Sequence, residues 1–279
     1  LQEVVNGWHD FIPDSIRGEI RNKFHAGCAA GILNSPDPTD NPATDDKIPF
    51  RYGPKDHAEA KRKNKLALQH ALGLEENPDV PVFFWPSRLD PVQKGPQLLA
   101  DIAYRFLSKY WKEGAQIAII ANGAFQQPFW DIRSFHGIEG RLGVRNFDGR
   151  LSQLGFAGSD FMVMPSLFEP CGLPQMQAPI YGSLAIAHNT GGLHDTVEML
   201  DVGNHHGNGF VFDNYDSNGL FWAMDQAMEF WRLPRDVREG EVSRIMAESL
   251  KRFNHEACAQ QYIDLYEKML NRPLVKRFE

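Results

Sequence analysis

The sequence predicts an α/β fold in which a parallel β-sheet carries helices on both faces. Three observations predict it. Six short apolar segments recur along residues 80–213, each followed by a stretch whose apolar residues fall at helical spacing. Those segments are apolar throughout rather than alternating, the pattern of strands buried on both sides. The chain has 279 residues and 42% hydrophobic content, enough to build a substantial core.

The elements follow in order. Residues 1 to about 60 read as largely irregular, and "NSPDPTDNPATDDKIP" is loop by its density of Pro, Asp and Asn. Within them "DSIRGEIRNKFHAG" predicts a short helix, capped by Asp14 or Ser15 and ended by Gly27. Residues 56–72 have helical composition, with Gly73 as the stop. "VPVFFWPS" (80–87) is the first strand, and residues 95–113 a helix with Leu98, Leu99, Ile102, Phe106 and Tyr110 on one face. Strand "AQIAIIA" (115–121) precedes helix "QQPFWDIRSFHGI". Strand "RLGVRNF" (141–147) precedes helix "GRLSQLGFAG", and strand "DFMVMP" (160–165) precedes a short helix over 173–182. "SLAIAHN" (183–189) is followed by helix "GGLHDTVEML", and "GFVFD" (209–213) by helix "SNGLFWAMDQAMEFWRL". The tail, from about Glu239 to Leu270, predicts two helices. Trp85, Trp111, Trp130, Trp222 and Trp231 fall on apolar faces and are assigned to the core.

This alternation describes a doubly wound, Rossmann-like domain with right-handed crossovers. Three segments result: 1–78, with a helix; 79–238, the Rossmann-like domain; and 239–279, the carboxyl-terminal helices. In such sheets ligands sit outside the carboxyl ends of the strands. The loops that matter are therefore 88–95, 121–125, 146–149, 166–173 and 188–193.

Bulk properties narrow the function. The formal charge of −7 argues against nucleic acid, whose partners are usually basic. Mean hydropathy is −0.41, and no apolar run approaches the ~18 residues of a membrane span. Three widely spaced cysteines, Cys28, Cys171 and Cys258, make no disulfide framework and suit a reducing cytoplasm. The chain enters on Leu1 in "LQEVVNG", which reads as a piece of a longer protein.

Two loops carry cations or glycines suited to a phosphate. "SRLDPVQKGP" places Arg88 and Lys94 around the turn that opens a helix, where a diphosphate finds a guanidinium fork and an ammonium. The plainer reading is a pair of solvated surface cations. Gly95 lets the helix start approach a ligand closely. "HNTGGLHDTV" sets Thr190, Gly191 and Gly192 between a strand and a helix, with backbone N–H groups free to face an anion. No GxGxxG follows a strand, and no P-loop motif occurs.

"PSLFEPCGLP" follows a strand directly, and a carboxylate there, Glu169, can accept hydrogen bonds from sugar hydroxyls. Alternatively Glu169 caps the helix that starts near Leu173. Cys171 is assigned to packing rather than reaction. Phe147 can stack on a flat base or belong to the core. His205 and His206, in "GNHHGNG", read as a solvated pair without a metal.

Taken in order, "SRLDPVQKG", "AGSDFMVMPSLFEPCGLPQMQAPIYG", "TGGLHDTV" and "GNGFVFDNYDSNGLFWAMDQAM" resemble the carboxyl-terminal half of bacterial glycogen synthases and plant starch synthases. "VVNG" and "NPATD" resemble that family's interdomain segment, and the likeness spans almost the whole chain. The resemblance implies a GT-B glycosyltransferase. Such an enzyme passes glucose from ADP-glucose, with retention, to the non-reducing end of an α-1,4-glucan. This chain would be its donor-binding half and inactive in isolation. The resemblance implies catalytic roles for Arg88 and Lys94 on the diphosphate and for Glu169 on the glucose hydroxyls. It places Phe147 on adenine, Thr190, Gly191 and Gly192 against phosphate and sugar, and Gly95, Cys171, Gly172 and Leu173 around the substrate. No metal or other cofactor is implied, and the partners are ADP or ADP-glucose and, mainly through a preceding domain, the glucan. Neither nucleic acid nor membrane is among them.

Departures are visible. The Arg88-to-Lys94 spacing is one residue longer than the family's, Gln177 replaces a second acid, and His188 and Asn189 stand where a basic residue is common. A stretch between Gly7 and Asn41 reads as inserted. Phe147 does not settle the base, so a UDP-sugar transferase stays open, as does a nucleotide-sugar or glucan binding module without catalysis.

Overall fold

The computed structural model describes residues 1–8 and 12–271. The amino-terminal region holds helices α1 (Gln2–Asn6), α2 (Asp14–His25) and α3 (His57–Leu72). The alternation then runs β1 (Val82–Trp85), α4 (Pro96–Lys109), β2 (Gln116–Ile120), α5 (Gln126–His136), β3 (Leu142–Arg145), α6 (Gly149–Gly158) and β4 (Phe161–Met164). It continues through α7 (Pro174–Ile180), β5 (Leu184–His188), α8 (Gly191–Thr196), β6 (Gly209–Phe212) and α9 (Ser217–Trp231). Helices α10 (Arg235–Arg252) and α11 (His255–Leu270) close the described chain.

Every predicted strand forms, and all pair in parallel in the order β3-β2-β1-β4-β5-β6. The strands are apolar throughout because each face has its own core. Phe83, Trp85, Ile117, Ile119, Phe161 and Val163 pack on the side of α4 and α9. Val82, Phe84, Ala118, Ile120, Met162 and Met164 alternate with them and face α3, α6 and α7. Gly73 ends α3 in the left-handed conformation, as its position predicts.

Some expectations change. Helix α1 was not foreseen; it is short and ends at Gly7 (φ 74°). In α2, Asp14 is the first helical residue rather than the cap, and it pairs with Arg17 at 2.9 Å. Helix α8 stops at Thr196, because Val197 is extended. Trp111 and Trp222 are 48% and 47% exposed, so these two lie outside the core to which they were assigned. Trp222 stands on the outer side of α9, whose opposite side fills the core, and Trp111 lies in the turn after α4, with the Arg141 guanidinium over its ring.

The described chain divides into two compact units, one of Leu1–Ser35 with the segment from His255, the other Pro36–Asn254. In the first, Arg21 donates to Val5 O through Nε and Nη2 at 3.1 and 2.9 Å, and Cys258 Sγ lies 3.2 Å from Leu33 O. In the second unit a buried polar network ties α3 to the sheet. Lys61 Nζ donates to Ala157 O (3.1 Å), Ser159 O (2.8 Å) and Tyr181 O (2.9 Å). Lys65 Nζ donates to Val80 O at 2.8 Å and pairs with Asp160 at 2.7 Å. Residues 272–279, which the sequence reading placed in the tail segment, lie outside the described residues.

Candidate functional site

The strand order reverses between β1 and β4: the chain leaves β1 toward β2 and β3, then builds outward from β4 to β6 on the other side. A crevice at the carboxyl ends of the strands is expected at such a switch point. The two loops that border it are 88–95 and 166–173.

The first loop is a tight turn around Asp90. Its carboxylate accepts from Val92 N at 2.9 Å, and its carbonyl accepts from Lys94 N at 2.8 Å, which folds Lys94 back toward the sheet. Gly95 has φ +68°, and a Cβ there would sit 2.4 Å from Pro165 O and 2.8 Å from Tyr215 Oη. Only glycine lets α4 begin that close to the end of β4. Pro96 follows at the first helical turn.

The second loop is tied to the first. Leu167 N donates to Gln93 O at 2.8 Å, and Gln93 Nε2 to Phe168 O at 3.4 Å. Across this seam Lys94 Nζ forms an ion pair with Glu169 Oε2, with only 13% and 8% of the two side chains exposed. Ser166 Oγ donates to the same oxygen at 3.3 Å. Glu169 Oε1 makes no hydrogen bond among the described residues. Glu169 does not cap the following helix: Leu173 occupies that position, and α7 has no side-chain cap. Gln175 Nε2 holds the loop from beneath through Cys171 O (2.8 Å) and Thr196 Oγ1 (3.1 Å). Cys171 is a partly buried thiol, in no disulfide and packed against the core, in line with a packing role.

The third loop presses on the second backbone to backbone. Gly191 has φ +48°, and a Cβ on it would lie 2.1 Å from Glu169 O; one on Gly192 would lie 1.9 Å from Cys171 O. Gly192 N donates to Glu169 O at 2.7 Å, and Thr190 N to His188 O at 2.9 Å. These two amides are thus spent inside the protein rather than turned outward, and the glycines serve close packing. His188 lies beneath, with Nδ1 2.8 Å from Ser166 O and Nε2 3.3 Å from Asp213 O, bridging the loops after β4 and β6.

Lys94, Gly95, Glu169, Gly191 and Gly192 therefore meet in one cluster, with Cys171, Gly172 and Thr190 beside it. Arg88, Phe147 and Leu173 stand at its margins with exposed side chains. Arg88 is 70% exposed, with Nη1 3.9 Å from Asp90 Oδ2. Phe147 is 55% exposed; its N–H donates to Asn122 Oδ1 at 3.0 Å, and Leu89 N donates to Asn122 O at 3.0 Å, so Asn122 links the loops after β1, β2 and β3. An open ring there belongs to the surface, not to the core. Sequence reasoning missed Gln93, Asn122, Ser166, Gln175 and Tyr215, and noted His188 only as a departure. Ser166 adjoins the Glu169 motif and was the easiest to find; the others are uncharged and carry no spacing signal.

Gln177, at the position of a second acid, donates instead to Gln153 Oε1 at 2.9 Å. The two histidines are not simply solvated. His205 pairs with the buried Glu241, and His206 lies 3.3 Å from Glu198. Among the described residues no group of three His, Cys, Asp or Glu side chains is placed to hold a metal ion. Nor does any described helix have the length and apolarity to cross a membrane. A more enclosed cavity, lined by Lys61, Lys65, Asp160, Trp231 and Arg238, lies at the amino ends of the strands and is separate from this site.

Known proteins resemble this chain in sequence and fold. Glycogen synthase 1 of Geobacter metallireducens is 38% identical over 277 residues, which cover 98% of this chain and 52% of that one. Glycogen synthase of Streptococcus pneumoniae is 34% identical over 254 residues, covering 89% and 51%. The chain thus spans about half the length of these relatives. The catalytic domain of starch synthase IV from Arabidopsis thaliana, solved bound to ADP and acarbose, superposes with a TM-score of 0.82 at 31% identity, over 97% of this chain and 54% of that one. The fold is accordingly that of one half of a GT-B enzyme. With residues 71–241 matching the model of glycosyl transferases group 1, the chain belongs to that family.

Proposed function

We propose that this chain is the donor-binding half of a retaining glucosyltransferase of the glycogen and starch synthase type. The enzyme would transfer glucose from ADP-glucose to the non-reducing end of an α-1,4-glucan. One observation carries the reading: at the switch point a cation and a carboxylate stand side by side, Lys94 against Glu169, on loops locked together by glycine contacts. Breaking the bond between the anomeric carbon and the diphosphate builds negative charge on the leaving group and positive charge on the sugar. Lys94 and the outlying Arg88 meet the first. Glu169, with Oε2 engaged by Lys94 and Ser166, keeps Oε1 for glucose hydroxyls. Its fixed position suits a reaction in which small displacements of the sugar cost rate.

The starch synthase solved with ADP supports the adenine donor, and the relatives named glycogen synthase support the glucan product. Phe147 offers an exposed ring to the base. The two cations carry the leaving-group charge without a metal, so chelation of the full-length enzyme should leave its activity intact. Three cysteines, none of them in a disulfide, favour the cytoplasm. The acceptor glucan would be held mainly by a preceding domain.

Calorimetry of ADP and UDP on this chain tests the donor, and glucose incorporation by the full-length protein tests the transfer. Binding of UDP as tight as that of ADP overturns the donor assignment.

A further inference from the structure

A groove of about 730 Å³ opens at the carboxyl ends of β5 and β6, beside the cluster described above but not part of it. Its lining includes Asn189, Glu198, Asp213, Asn214, Asp216 and Trp222. Asn189 lies two residues before Gly191, so the groove begins where the site ends. Trp222, on α9, is 47% exposed. Its indole makes no ring contact, cation contact or hydrogen bond among the described residues. The side-chain amide of Asn214 is likewise without a hydrogen bond. Asn189 is fixed in place: its Nδ2 donates to Asp213 Oδ1 at 2.7 Å, and its Oδ1 lies 2.6 Å from His194 Nδ1.

The chemistry of this lining selects its ligand. No lysine or arginine lines the groove, while three carboxylates do. An anionic nucleotide would be repelled there. Its apolar lining, Val197, Met199, Val211 and Phe212 beside Trp222, is interleaved with amides and acids, and Val197 and Phe212 are buried, so an apolar peptide meets no continuous apolar face. A neutral polyhydroxyl chain fits: an open indole face takes the C–H face of a pyranose, while amides and carboxylates take its hydroxyls. The volume falls in the range of small-ligand sites and accommodates a short run of sugar units.

We infer that this groove is a carbohydrate subsite, with Trp222 as its stacking platform, which holds a stretch of the α-glucan chain next to the donor site. The inference rests on the glucan-synthase reading for the identity of the sugar, but not for the existence of the groove.

Maltoheptaose is titrated by calorimetry into the 279-residue chain and its variants, with ADP titrated in parallel and cellohexaose as the β-linked control. Trp222→Ala should weaken maltoheptaose binding at least tenfold and leave ADP affinity within twofold. Trp222→Phe, which keeps a ring, should stay within about threefold of the parent. Unchanged maltoheptaose affinity in Trp222→Ala overturns the proposal. So does absence of maltoheptaose binding to a parent chain that still binds ADP, an outcome that leaves the donor reading intact. Trp222-dependent maltoheptaose binding without ADP binding upholds the groove and removes the donor reading. Equal binding of cellohexaose overturns its assignment to an α-glucan.

Discussion

Lys94 and Glu169, 75 residues apart in the chain, pair at the one place in the sheet where the strand order reverses. Each comes from the loop of a different central strand, and neither charge is well exposed. The pair therefore belongs to the scaffold as well as to the site.

That dual role separates two measurements. Lys94→Met strands a buried carboxylate and should cost about 3–5 kcal/mol of stability in urea unfolding. The double variant Lys94→Met/Glu169→Gln should recover most of the loss, while ADP binding stays weak in both. If the single variant is no less stable than the double, the pair contributes nothing to the fold.

Gly191 and Gly192 admit no side chain, because the obstacles are carbonyl oxygens of Glu169 and Cys171 rather than movable atoms. Gly192→Ala should cost more than about 3 kcal/mol and lower the melting temperature by roughly 5–10 °C. ADP affinity should fall with it, since the loop bearing Glu169 must shift. A variant that melts like the parent would contradict the backbone contact.

Arg88 is the opposite case. With its side chain 70% exposed, Arg88→Ala should change stability by no more than about 0.5 kcal/mol. ADP affinity should nevertheless drop about tenfold or more, and Arg88→Lys should restore only part of it, for want of the bidentate fork. Equal affinity in the parent and Arg88→Ala would remove this residue from the diphosphate site.

Lys61 sets a pH dependence. Burial pushes its amine down to about 7, and in the unfolded chain it returns to about 10.4. Between these values the unfolded state holds a proton that the folded state has released, so stability rises with pH across the window. Relative to Lys61→Met, the parent should gain stability from pH 7 to 10, at no more than about 1.4 kcal/mol per unit. A flat difference in urea titrations would mean that the three carbonyls on Nζ keep it protonated.

Much of this was legible in sequence for a definite reason. Strands such as "FMVM" and "LAIAH" are apolar at every position, and only a sheet covered on both faces needs that. Glycines at turns, as at Gly73 and Gly95, mark left-handed backbone that few other residues adopt. What escaped depends on distant chain segments meeting. The bridge of His188 between Ser166 O and Asp213 O spans the loops of three strands, and nothing local predicts it. Trp222 misled because residue type suggested burial, whereas exposure is set by which side of the helix the rest of the fold already occupies; Trp111 misled because it falls in the turn just beyond α4. Lysines in "AKRKNKLAL" look solvated by type, yet Lys61 and Lys65 point inward to carbonyls.

Those inward lysines also govern how the protein can be cut. Lys61 gathers the trailing ends of α6 and α7 under a single Nζ, and Tyr52 Oη adds a bond to Tyr181 O at 2.8 Å. A truncation that starts at the first strand would strip this rivet from beneath the sheet and leave those carbonyls unmet. The smallest piece that keeps these bonds must therefore begin upstream of Tyr52, within the segment read as interdomain.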